Sequence, residues 1–583
     1  MIENKICYPS KDKPWLKFYD EENLNVKLPQ CTLYDLLWQN NKDYQDNIAL
    51  CYFDREITYK ELFENIEKAA AAYTAIGVKE GDIVIMATVT IPETIYSLYA
   101  LNQLGAIPNM VDPRTSAEGI KEYIEEVNSK FVLCLDAAYP KIEKAIKGTK
   151  VEKVIVTSPS TSLPGTKKIL YRLFKQKKLV LNEKCLKWKE FVCEGIGTKA
   201  NKVGYKPNTC CIIVHTGGTT GMPKGVMLTN ENLNASAVQC EMSRFTISRG
   251  DTWLGVMPPF IAYGVGNGLH LPLEKGMKLV VIPAFDPDEY DKLLIKYKPN
   301  HIVGVPSHYY SIMKSKRMKG VDLSFLISPV VGGDGTQPEF EKMIKDFLED
   351  HNCKYTLIKG YGMTEVSAAV CATSHANFNK IGSVGIPFTH SVMAVFDPET
   401  GEELPVNTQG EICMSTPNTM LGYYNNKTAT DEILHLHDDG LVWVHSGDLG
   451  HIDEDGCVFI EGRLKRMIIR HDGFKVFPTF IENVIMQNKH VKAACAVGKP
   501  DTGHSQGQLP YAFVVLDTDD KEEQRKIKRS LKKLCRDELP EYAQPTGFYA
   551  LPGMPLTPIG KVDYRDLEAL AEKLTKKETL IQG

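Results

Sequence analysis

A segment rich in glycine and threonine, residues 216–225, constrains the fold of this chain more than any other feature. It reads Thr-Gly-Gly-Thr-Thr-Gly-Met-Pro-Lys-Gly and stands between two apolar runs, Cys210 to Val214 and Val226 to Leu228, which are typical of buried strands. Such a loop suits a polyphosphate, because its backbone N–H groups and hydroxyls donate hydrogen bonds and its lysine supplies positive charge. The sequence therefore predicts a strand–loop–strand phosphate site of the kind that binds ATP.

This loop differs from a Walker loop, which has the spacing G-x-x-x-x-G-K-[ST] and leads directly into a helix. Here Lys224 is followed by Gly225 and then by a second strand-like run. An ordinary turn is the alternative interpretation, but the threonines combined with a Pro-Lys-Gly ending favour a phosphate site.

Length and composition narrow the class of protein. A chain of 583 residues is too long for one hydrophobic core and predicts at least two domains. The net charge of −4 argues against a nucleic-acid partner. Fifteen cysteines without a C-x-x-C pair, and a first segment without an apolar signal core, predict a cytoplasmic protein with no structural zinc. The longest apolar runs fall short of the ~20 residues of a membrane-spanning helix.

Hydrophobic periodicity predicts an α/β fold with mostly parallel sheets. Residues 382–462 change to short strands separated by turn signals, which indicates a β-rich subdomain. A small mobile α+β domain follows, so the predicted domains are 1–464 and 465–583. The predicted strands are Ile83 to Met86, Val151 to Val156, Leu279 to Ile282, His301 to Val305, Phe325 to Val331, Tyr355 to Ile358, Ala493 to Val497 and Tyr511 to Leu516. The predicted helices are Glu93 to Leu104, Glu339 to Glu349, Phe480 to Gln487 and Glu522 to Cys535.

The decapeptide closely resembles the signature of the adenylate-forming (AMP-binding) superfamily, which includes acyl- and aryl-CoA synthetases. The resemblance implies that a carboxylate and ATP form acyl-AMP and pyrophosphate, and that the thiol of coenzyme A then releases AMP. It extends over nearly the whole chain. Further matching stretches are Ile57 to Leu62, Tyr361 to Glu365, Gly410 to Ile412, Gly422 to Tyr424, Ser446 to Asp448, Gly462 to Lys465 and Gly560-Lys561.

The resemblance also implies the nucleotide-binding residues. Asp448 would accept both ribose hydroxyls, as a carboxylate acceptor can; Tyr361 would lie against adenine, and Arg463 would complete the pocket. The residues implied to bind ATP are Thr216, Gly217, Thr219, Thr220, Gly221, Lys224, Gly333, Asp334, Gly335, Tyr361, Gly362, Asp448 and Arg463.

Four residues are implied to act in catalysis. Lys224 and Thr364 would bind phosphate oxygens, and Glu365 would ligate Mg²⁺, a hard cation that prefers oxygen ligands. Lys561 would bind the substrate carboxylate and the α-phosphate during adenylation. An alternative for Thr364 is the N-cap of a helix after a strand.

The C-terminal domain is implied to rotate between the two half-reactions. Lys465 matches the hinge, and Gly473 matches a segment that lines the thiol tunnel, where glycine allows close approach of the pantetheine arm. Arg466 departs from the acidic residue that the family often has after the hinge position.

Phe260, Ile261, Tyr263 and Gly264 match a segment that lines the acyl pocket. Relatives that activate amino acids carry an aspartate at the position of Ile261, and without it the substrate ammonium would be buried unpaired. The opening residues 13–19 resemble bacterial medium- and long-chain fatty-acid CoA ligases. A fatty acid is therefore the expected substrate.

Residues 167–178 hold six basic residues and no acidic one, and predict a helix with Ile169, Leu170, Leu173 and Phe174 on one face. Peripheral contact with an anionic membrane is one interpretation. A solvated helix whose apolar stripe packs on the core is the other.

Four histidines near the Ser446 motif raise the question of a metal site. For His435, His437, His445 and His451 the sequence favours hydrogen-bonding roles, because their neighbours show no second set of ligands.

Three rival functions stay open. They are an acyl-AMP ligase that loads a carrier protein, a CoA ligase for another apolar acid (aryl or steroidal), and a non-catalytic binding protein. The last is disfavoured because simple binding would not need the mobile Lys561.

Overall fold

The computed structural model describes residues 7–174, 179–216, 223–243, 246–336, 338–374, 378–472, 474–504, 506–557 and 562–582. The predicted α/β class is confirmed, with a large N-terminal part and a small C-terminal part. The α-helices are Pro9–Asp12, Glu21–Leu24, Leu33–Asn41, Tyr59–Ala75, Pro92–Gln103, Ala117–Glu126, Tyr139–Ala145, Gly165–Phe174, Trp188–Glu194, Asn230–Met242, Ala262–Val265, Leu271–Glu274, Tyr290–Tyr297, Pro306–Lys314, Pro338–Asp350, Lys427–Asp431, Pro478–Met486, Lys521–Glu538 and Tyr564–Gln582. Over the described ranges, no helix is both long enough and apolar enough to cross a membrane.

One sheet carries the glycine-rich loop. Its strands are, in spatial order, Gly422–Tyr423, Gly225–Thr229, Cys210–His215, Ile107–Val111, Ile83–Ala87, Phe131–Leu135, Lys153–Thr157 and Cys185–Lys187. From Cys210–His215 to Cys185–Lys187 the pairing is parallel, whereas Gly225–Thr229 pairs antiparallel with Cys210–His215. The predicted strand–loop–strand unit is therefore a hairpin, whose register ends at His215 opposite Gly225.

A second, longer sheet joins the α/β part to the β-rich part. Its strands are, in spatial order, Glu403–Leu404, Val392–Phe396, Gly410–Ser415, Val442–Ile452, Val458–Arg463, Ser383–Pro387, Cys371–Ala372, Ile358–Tyr361, Ser328–Gly332, His301–Gly304, Thr252–Gly255, Lys278–Val281, Ile48–Tyr52 and Arg55–Thr58, with Leu434–Leu436 beside Val442–Ile452. Pairing is parallel from Ile48–Tyr52 to Ile358–Tyr361 and antiparallel from Cys371–Ala372 onward. The predicted β-rich subdomain thus continues the sheet of its neighbour.

Strand bounds differ from the prediction by one residue at Lys278–Val281 and His301–Gly304, and by three residues at the start of two other strands of this sheet. The run predicted at Tyr355 to Ile358 begins only at Ile358, and the run predicted at Phe325 to Val331 begins at Ser328. These two strands pair with each other, Val330 opposite Ile358 and Gly332 opposite Gly360. Pairing with a neighbour, rather than apolar content, sets where each strand starts.

The C-terminal part contains the hairpin Ile468–Ile469 with Lys475–Val476 and a sheet of Val491–Pro500, Gln508–Leu516 and Phe548–Leu551. Its core includes Ile481, Ala512 and Leu531 from a helix, a strand and a second helix. The helix Lys521–Glu538 begins one residue before the predicted start at Glu522, because the Asp520 side chain caps it by accepting a hydrogen bond from the backbone N–H of Glu523.

A buried ion pair fixes the strand that leads to Tyr361. The ammonium of Lys359, on Ile358–Tyr361, binds the Glu341 carboxylate on the helix Pro338–Asp350, and the two side chains are 2% and 9% exposed. Lys359 Nζ also donates to the Lys380 carbonyl at 2.8 Å, and Glu341 Oε1 accepts from Gly382 N at 3.0 Å. Each charge is therefore paired and hydrogen-bonded, as burial requires.

Replacing Lys359 with methionine should lower the free energy of unfolding by about 3 to 5 kcal/mol, because the Glu341 carboxylate would stay buried without its partner. Urea denaturation followed by tryptophan fluorescence measures the change. Lys345→Met is the matched control, since Lys345 and Glu349 form a 3.8 Å pair on the same helix with both side chains 63% exposed. A loss of the same size in both variants would contradict the prediction.

Candidate functional site

The two ends of the glycine-rich loop are held together at the mouth of the hairpin. The backbone N–H of Lys224 donates to Thr216 Oγ1 at 3.1 Å, and the backbone N–H of Thr216 donates to the Lys224 carbonyl at 3.0 Å. Gly217, Thr219, Thr220 and Gly221 lie outside the described residues. The described ends therefore place the Lys224 side chain and the Thr216 hydroxyl at the ends of the two hairpin strands.

His215, which the sequence reasoning missed, anchors the strand entering this loop. Its Nε2–H donates to Asn109 Oδ1 at 2.7 Å, across to the neighbouring parallel strand. Burial lowers the pKa of His215 to about 4, so the imidazole is neutral at pH 7. The neutral His215 ring therefore holds the strand before the loop against its neighbour without placing a positive charge next to the loop.

Tyr423 joins the loop lysine to Glu365. The ammonium of Lys224 stands 4.7 Å from the centre of the Tyr423 ring, a cation–π distance. The Tyr423 hydroxyl donates to Glu365 Oε1 at 2.6 Å. Burial and the Glu365 carboxylate raise the pKa of this hydroxyl, so it remains a donor. Tyr423 lies in the matching stretch Gly422 to Tyr424, but no role for its side chain is predicted from the sequence.

The Tyr361 to Glu365 segment runs from the end of a strand into a single 3-10 turn, Thr364–Val366. Gly362 is required here, because a Cβ on it would lie 1.7 Å from the Ala368 carbonyl oxygen. The residue that precedes the turn is Met363, and its side chain caps nothing. The alternative interpretation of Thr364 as an N-cap is therefore wrong, and Glu365, 7% exposed, follows it directly.

Asp448 lies at the centre of a second cluster. Its Oδ1 lies 2.7 Å from Arg463 Nε and its Oδ2 accepts from the Tyr361 hydroxyl at 2.8 Å, with the aspartate 4% exposed. Asp448 and Arg463 are opposite each other on adjacent antiparallel strands. Burial and Asp448 raise the pKa of Tyr361, while Asp448 also raises the pKa of Arg463. The structure thus brings together three of the predicted nucleotide residues.

Gly333, Asp334 and Gly335 form an exposed loop after the strand Ser328–Gly332, next to Ile358–Tyr361 in the sheet. Gly333 has φ +80°, in the left-handed region that glycine tolerates best. Asp334 Oδ1 accepts from the Gly335 backbone N–H at 2.9 Å.

The predicted acyl-pocket segment is largely enclosed. Phe260 is buried, Ile261 is partly buried against the main core, and a Cβ on Gly264 would lie 1.7 Å from the Pro258 carbonyl oxygen. The Tyr263 hydroxyl is buried and has no hydrogen-bond partner among the described residues. It lies 3.8 Å from the position that a Cβ on Gly332 would take, beside the Gly333 loop.

Lys465 is exposed in the 3-10 turn Leu464–Arg466, directly after the strand that carries Arg463. The next side chain, Arg466, is fixed in the C-terminal part. Its Nη2 lies 2.6 Å from Glu482 Oε1 and 3.2 Å from the Ala496 carbonyl, and its guanidinium stands 3.7 Å from the centre of the Tyr564 ring. Arg466, the residue that departs from the family pattern, therefore forms these contacts within the C-terminal part.

Gly473 and Lys561 both lie outside the described residues. Before Gly473, the Arg470 guanidinium forms hydrogen bonds with both carboxylate oxygens of Asp472 and lowers the pKa of Asp472 to about 2. Around Lys561, an antiparallel bridge joins Leu556 to Val562.

Comparison with known proteins gives the family. Residues 37–424 match the AMP-binding enzyme family, and residues 481–561 match the C-terminal domain of AMP-binding enzymes. A long-chain-fatty-acid–CoA ligase of Bacillus subtilis (strain 168) is 27% identical, covering 97% of this chain and 98% of the relative. A probable 4-coumarate–CoA ligase 1 of Dictyostelium discoideum is 28% identical over 94% of this chain and 97% of its own length.

Solved structures share the fold. The anthranilate CoA ligase AuaEII, in complex with anthranoyl-AMP, superposes with a TM-score of 0.80 at 20% identity and covers 94% of this chain and 99% of its own. ATP-bound MatB from Rhodopseudomonas palustris gives a TM-score of 0.79 at 21% identity, covering 93% and 99%. The chain belongs to the family of AMP-binding enzymes and, within the adenylate-forming superfamily, to the acyl- and aryl-CoA ligases, which are acid–thiol ligases that use ATP, Mg²⁺ and coenzyme A.

Proposed function

We propose that this chain is an ATP-dependent fatty-acyl-CoA synthetase. The carboxylate oxygen of the acid attacks the α-phosphorus of ATP and pyrophosphate leaves; the thiol of coenzyme A then attacks the acyl carbon and AMP leaves. The observation that carries the proposal is that the short segment from Tyr361 to Glu365 contributes one residue to each of two clusters, Lys224–Tyr423–Glu365 and Tyr361–Asp448–Arg463. The first cluster presents the Lys224 ammonium and the Glu365 carboxylate to the phosphates of ATP. The second presents the Asp448 carboxylate, held by Tyr361 and Arg463, to the ribose.

Each residue is given a role that its chemistry supports. Asp448 accepts from the ribose hydroxyls, and its contacts with Tyr361 and Arg463 hold the carboxylate in place. Lys224 and Thr216 bind the triphosphate, and Thr364 binds a phosphate oxygen as negative charge builds up there. Gly217, Thr219, Thr220 and Gly221 are assigned to the same triphosphate.

Glu365 is the residue we assign to Mg²⁺. Tyr423 holds its Oε1, which orients Oε2 as the oxygen for the cation. A buried carboxylate suits a hard divalent cation. When bound, Mg²⁺ would neutralise charge on the phosphate oxygens.

Replacing Tyr423 with phenylalanine should lower kcat for pyrophosphate release about 10- to 100-fold, because a hydrogen bond to a charged group contributes about 1.5 to 3 kcal/mol. The Lys224 contact with the ring is retained. Tyr424→Phe is the control, since Tyr424 is the next residue along the chain and its backbone N–H, bound to the Gly225 carbonyl at 2.7 Å, is retained in the variant. Equal kcat values for Tyr423→Phe and the wild type would show that the Tyr423 hydroxyl does not contribute to catalysis.

We also propose that residues 465–583 rotate about Lys465 relative to residues 1–464, so that Lys561 serves adenylation and the Gly473 segment serves thioester formation. Arg466 is held by Glu482 and by the Tyr564 ring, both in the C-terminal part, which supports a pivot at the residue before Arg466.

Two variants should then show opposite defects. Lys561→Ala should slow acyl-AMP formation by about 100-fold or more, the effect of losing one charge-stabilising donor, yet convert supplied acyl-AMP and coenzyme A normally. Lys465→Pro should form acyl-AMP at a normal rate and stall in thioester formation, because proline fixes φ at the pivot. Single-turnover assays of each half-reaction measure this, and equal losses in both steps would count against domain rotation.

A fatty acid is the proposed substrate. The partly buried Ile261 supports an apolar acid over an amino acid, and the B. subtilis relative is named for long-chain fatty acids. The buried Tyr263 hydroxyl, which meets no hydrogen-bond partner within the described part of the chain, favours a second candidate, an aryl acid with a polar substituent, since an unpaired buried hydroxyl costs about 1 to 3 kcal/mol. Relatives named for 4-coumarate support the same alternative.

Pyrophosphate release should require a carboxylic acid, and kcat/KM should rise roughly fourfold for each added CH₂ until the pocket is full, because each buried CH₂ contributes ~0.8 kcal/mol. The acids to compare are acetate to palmitate, benzoate, 4-coumarate, a bile acid and phenylalanine, each with and without coenzyme A. Preference for an aromatic or steroidal acid would replace the fatty-acid assignment. Acyl-AMP that coenzyme A does not consume would point to a carrier protein, and binding without pyrophosphate to a non-catalytic protein.

Peripheral contact with an anionic membrane through residues 167–178 stays a prediction. Ile169 is 60% exposed on the helix Gly165–Phe174, which supports a surface role over core packing. Lys167 and Lys168 are engaged internally, with Asp54 Oδ2 at 2.6 Å and the Thr161 carbonyl at 2.7 Å. Residues 175–178 lie outside the described ranges.

A further inference from the structure

Three histidines converge in the β-rich part, away from the Lys224 cluster. His435 lies on the strand Leu434–Leu436, and His437 is the first residue after that strand. His445 lies on the antiparallel strand Val442–Ile452. One ring nitrogen from each lies within 4.8 Å of the others. His437 Nε2 and His445 Nε2 are 3.1 Å apart.

This spacing is close to that of two ligands on one cation. Two imidazole nitrogens at about 2.05 Å from a tetrahedral Zn²⁺ would lie about 3.3 Å apart. The paired strands Leu434–Leu436 and Val442–Ile452 therefore hold the Nε2 atoms of His437 and His445 near the separation of two zinc ligands. His435 lies on the first of these strands.

The outer contacts of His445 determine which of its nitrogens faces the cluster. Its Nδ1 lies 2.8 Å from Glu411 Oε2, and because a carboxylate only accepts, Nδ1 carries the proton and Nε2 presents its lone pair. Glu411 Oε1 is held in turn by the Gly447 backbone N–H at 2.9 Å. A carboxylate behind a histidine is the arrangement that orients metal-binding imidazoles in proteins.

We propose that His435, His437 and His445 form a binding site for a borderline divalent cation of the Zn²⁺ class, with water as the fourth ligand. Nitrogen donors suit Zn²⁺ and disfavour Mg²⁺, so the site is distinct from the oxygen ligand assigned at Glu365. The rings of Phe396 and Trp443 pack against His437 and limit its rotation. The ligands are imidazoles brought together by the pairing of two strands, so neither the lack of C-x-x-C pairs nor the lack of a second set of ligands among sequence neighbours argues against the site.

Gly447, which holds Glu411, precedes Asp448 on the same strand. The outer contacts of the cation site therefore end one residue from the nucleotide cluster.

The test uses the full chain stripped with a chelator and then dialysed against Zn²⁺, with bound metal measured by elemental analysis. One tight equivalent of Zn²⁺ is expected, and Co²⁺ in its place should give the visible absorption of a tetrahedral nitrogen site. His437→Gln should weaken Zn²⁺ binding by more than about 100-fold, and Glu411→Gln by about 10- to 100-fold, the usual effect of an outer contact.

His451→Gln is the matched control, because His451 lies on the same strand as His445 and its Nδ1 likewise binds a carboxylate, Glu461, at 2.6 Å, but it is not one of the three clustered histidines. His504→Gln tests a competing group, His471, Asp501 and His504, in the C-terminal part. His435→Gln replaces His437→Gln if circular dichroism shows that the latter is unfolded.

Loss of the tight equivalent in the His437 or His435 variant, with retention in the His451 and His504 variants, would support the site. No binding tighter than about 10 µM would overturn it. Binding that survives both cluster variants, or that disappears in His504→Gln, would overturn it as well.

Discussion

The carboxylate of Asp448 connects parts of this molecule that are far apart in sequence. It binds the Tyr361 hydroxyl, at the end of the parallel region of the long sheet, and Arg463, two residues before Lys465. The Tyr361 contact depends on the sheet running without interruption from parallel to antiparallel pairing through Cys371–Ala372 and Ser383–Pro387, and the Arg463 contact depends on the pairing of Val442–Ile452 with Val458–Arg463. The position of the proposed ribose acceptor is therefore a property of the whole sheet.

The second sheet contributes the phosphate side of the site by the same principle. Gly422–Tyr423 forms its edge strand and pairs with Gly225–Thr229, which begins one residue after Lys224. That pairing places the Tyr423 ring beside the Lys224 ammonium and its hydroxyl on Glu365. The Tyr423 side chain thus links the glycine-rich loop of this sheet to the turn Thr364–Val366, which follows the strand Ile358–Tyr361 of the longer sheet.

The connection to the C-terminal part shows a similar division within a few residues. Arg463 binds Asp448 of the N-terminal part, whereas Arg466 binds Glu482 and stacks on Tyr564 of the C-terminal part. The residues between them, Leu464 and Lys465, therefore join two sets of contacts that belong to different parts. A short segment between two anchored arginines is suited to absorb a change in backbone angles.

Much of this organisation could be predicted from the sequence. The hairpin around residues 216–225, the α/β class, the β-rich change after residue 382, and two strands and two helices of the C-terminal part follow from local periodicity and turn residues, which act over a few positions. The start of the strand at Ile358, the place of Tyr423 beside Lys224, the role of His215 and the contact of Arg466 with Glu482 could not be predicted. The sequence by itself determined the elements and the motif residues because these depend on neighbouring positions. Only the tertiary structure decided which motif residues meet, since strand pairing brings together side chains that are separated by tens to hundreds of positions along the chain.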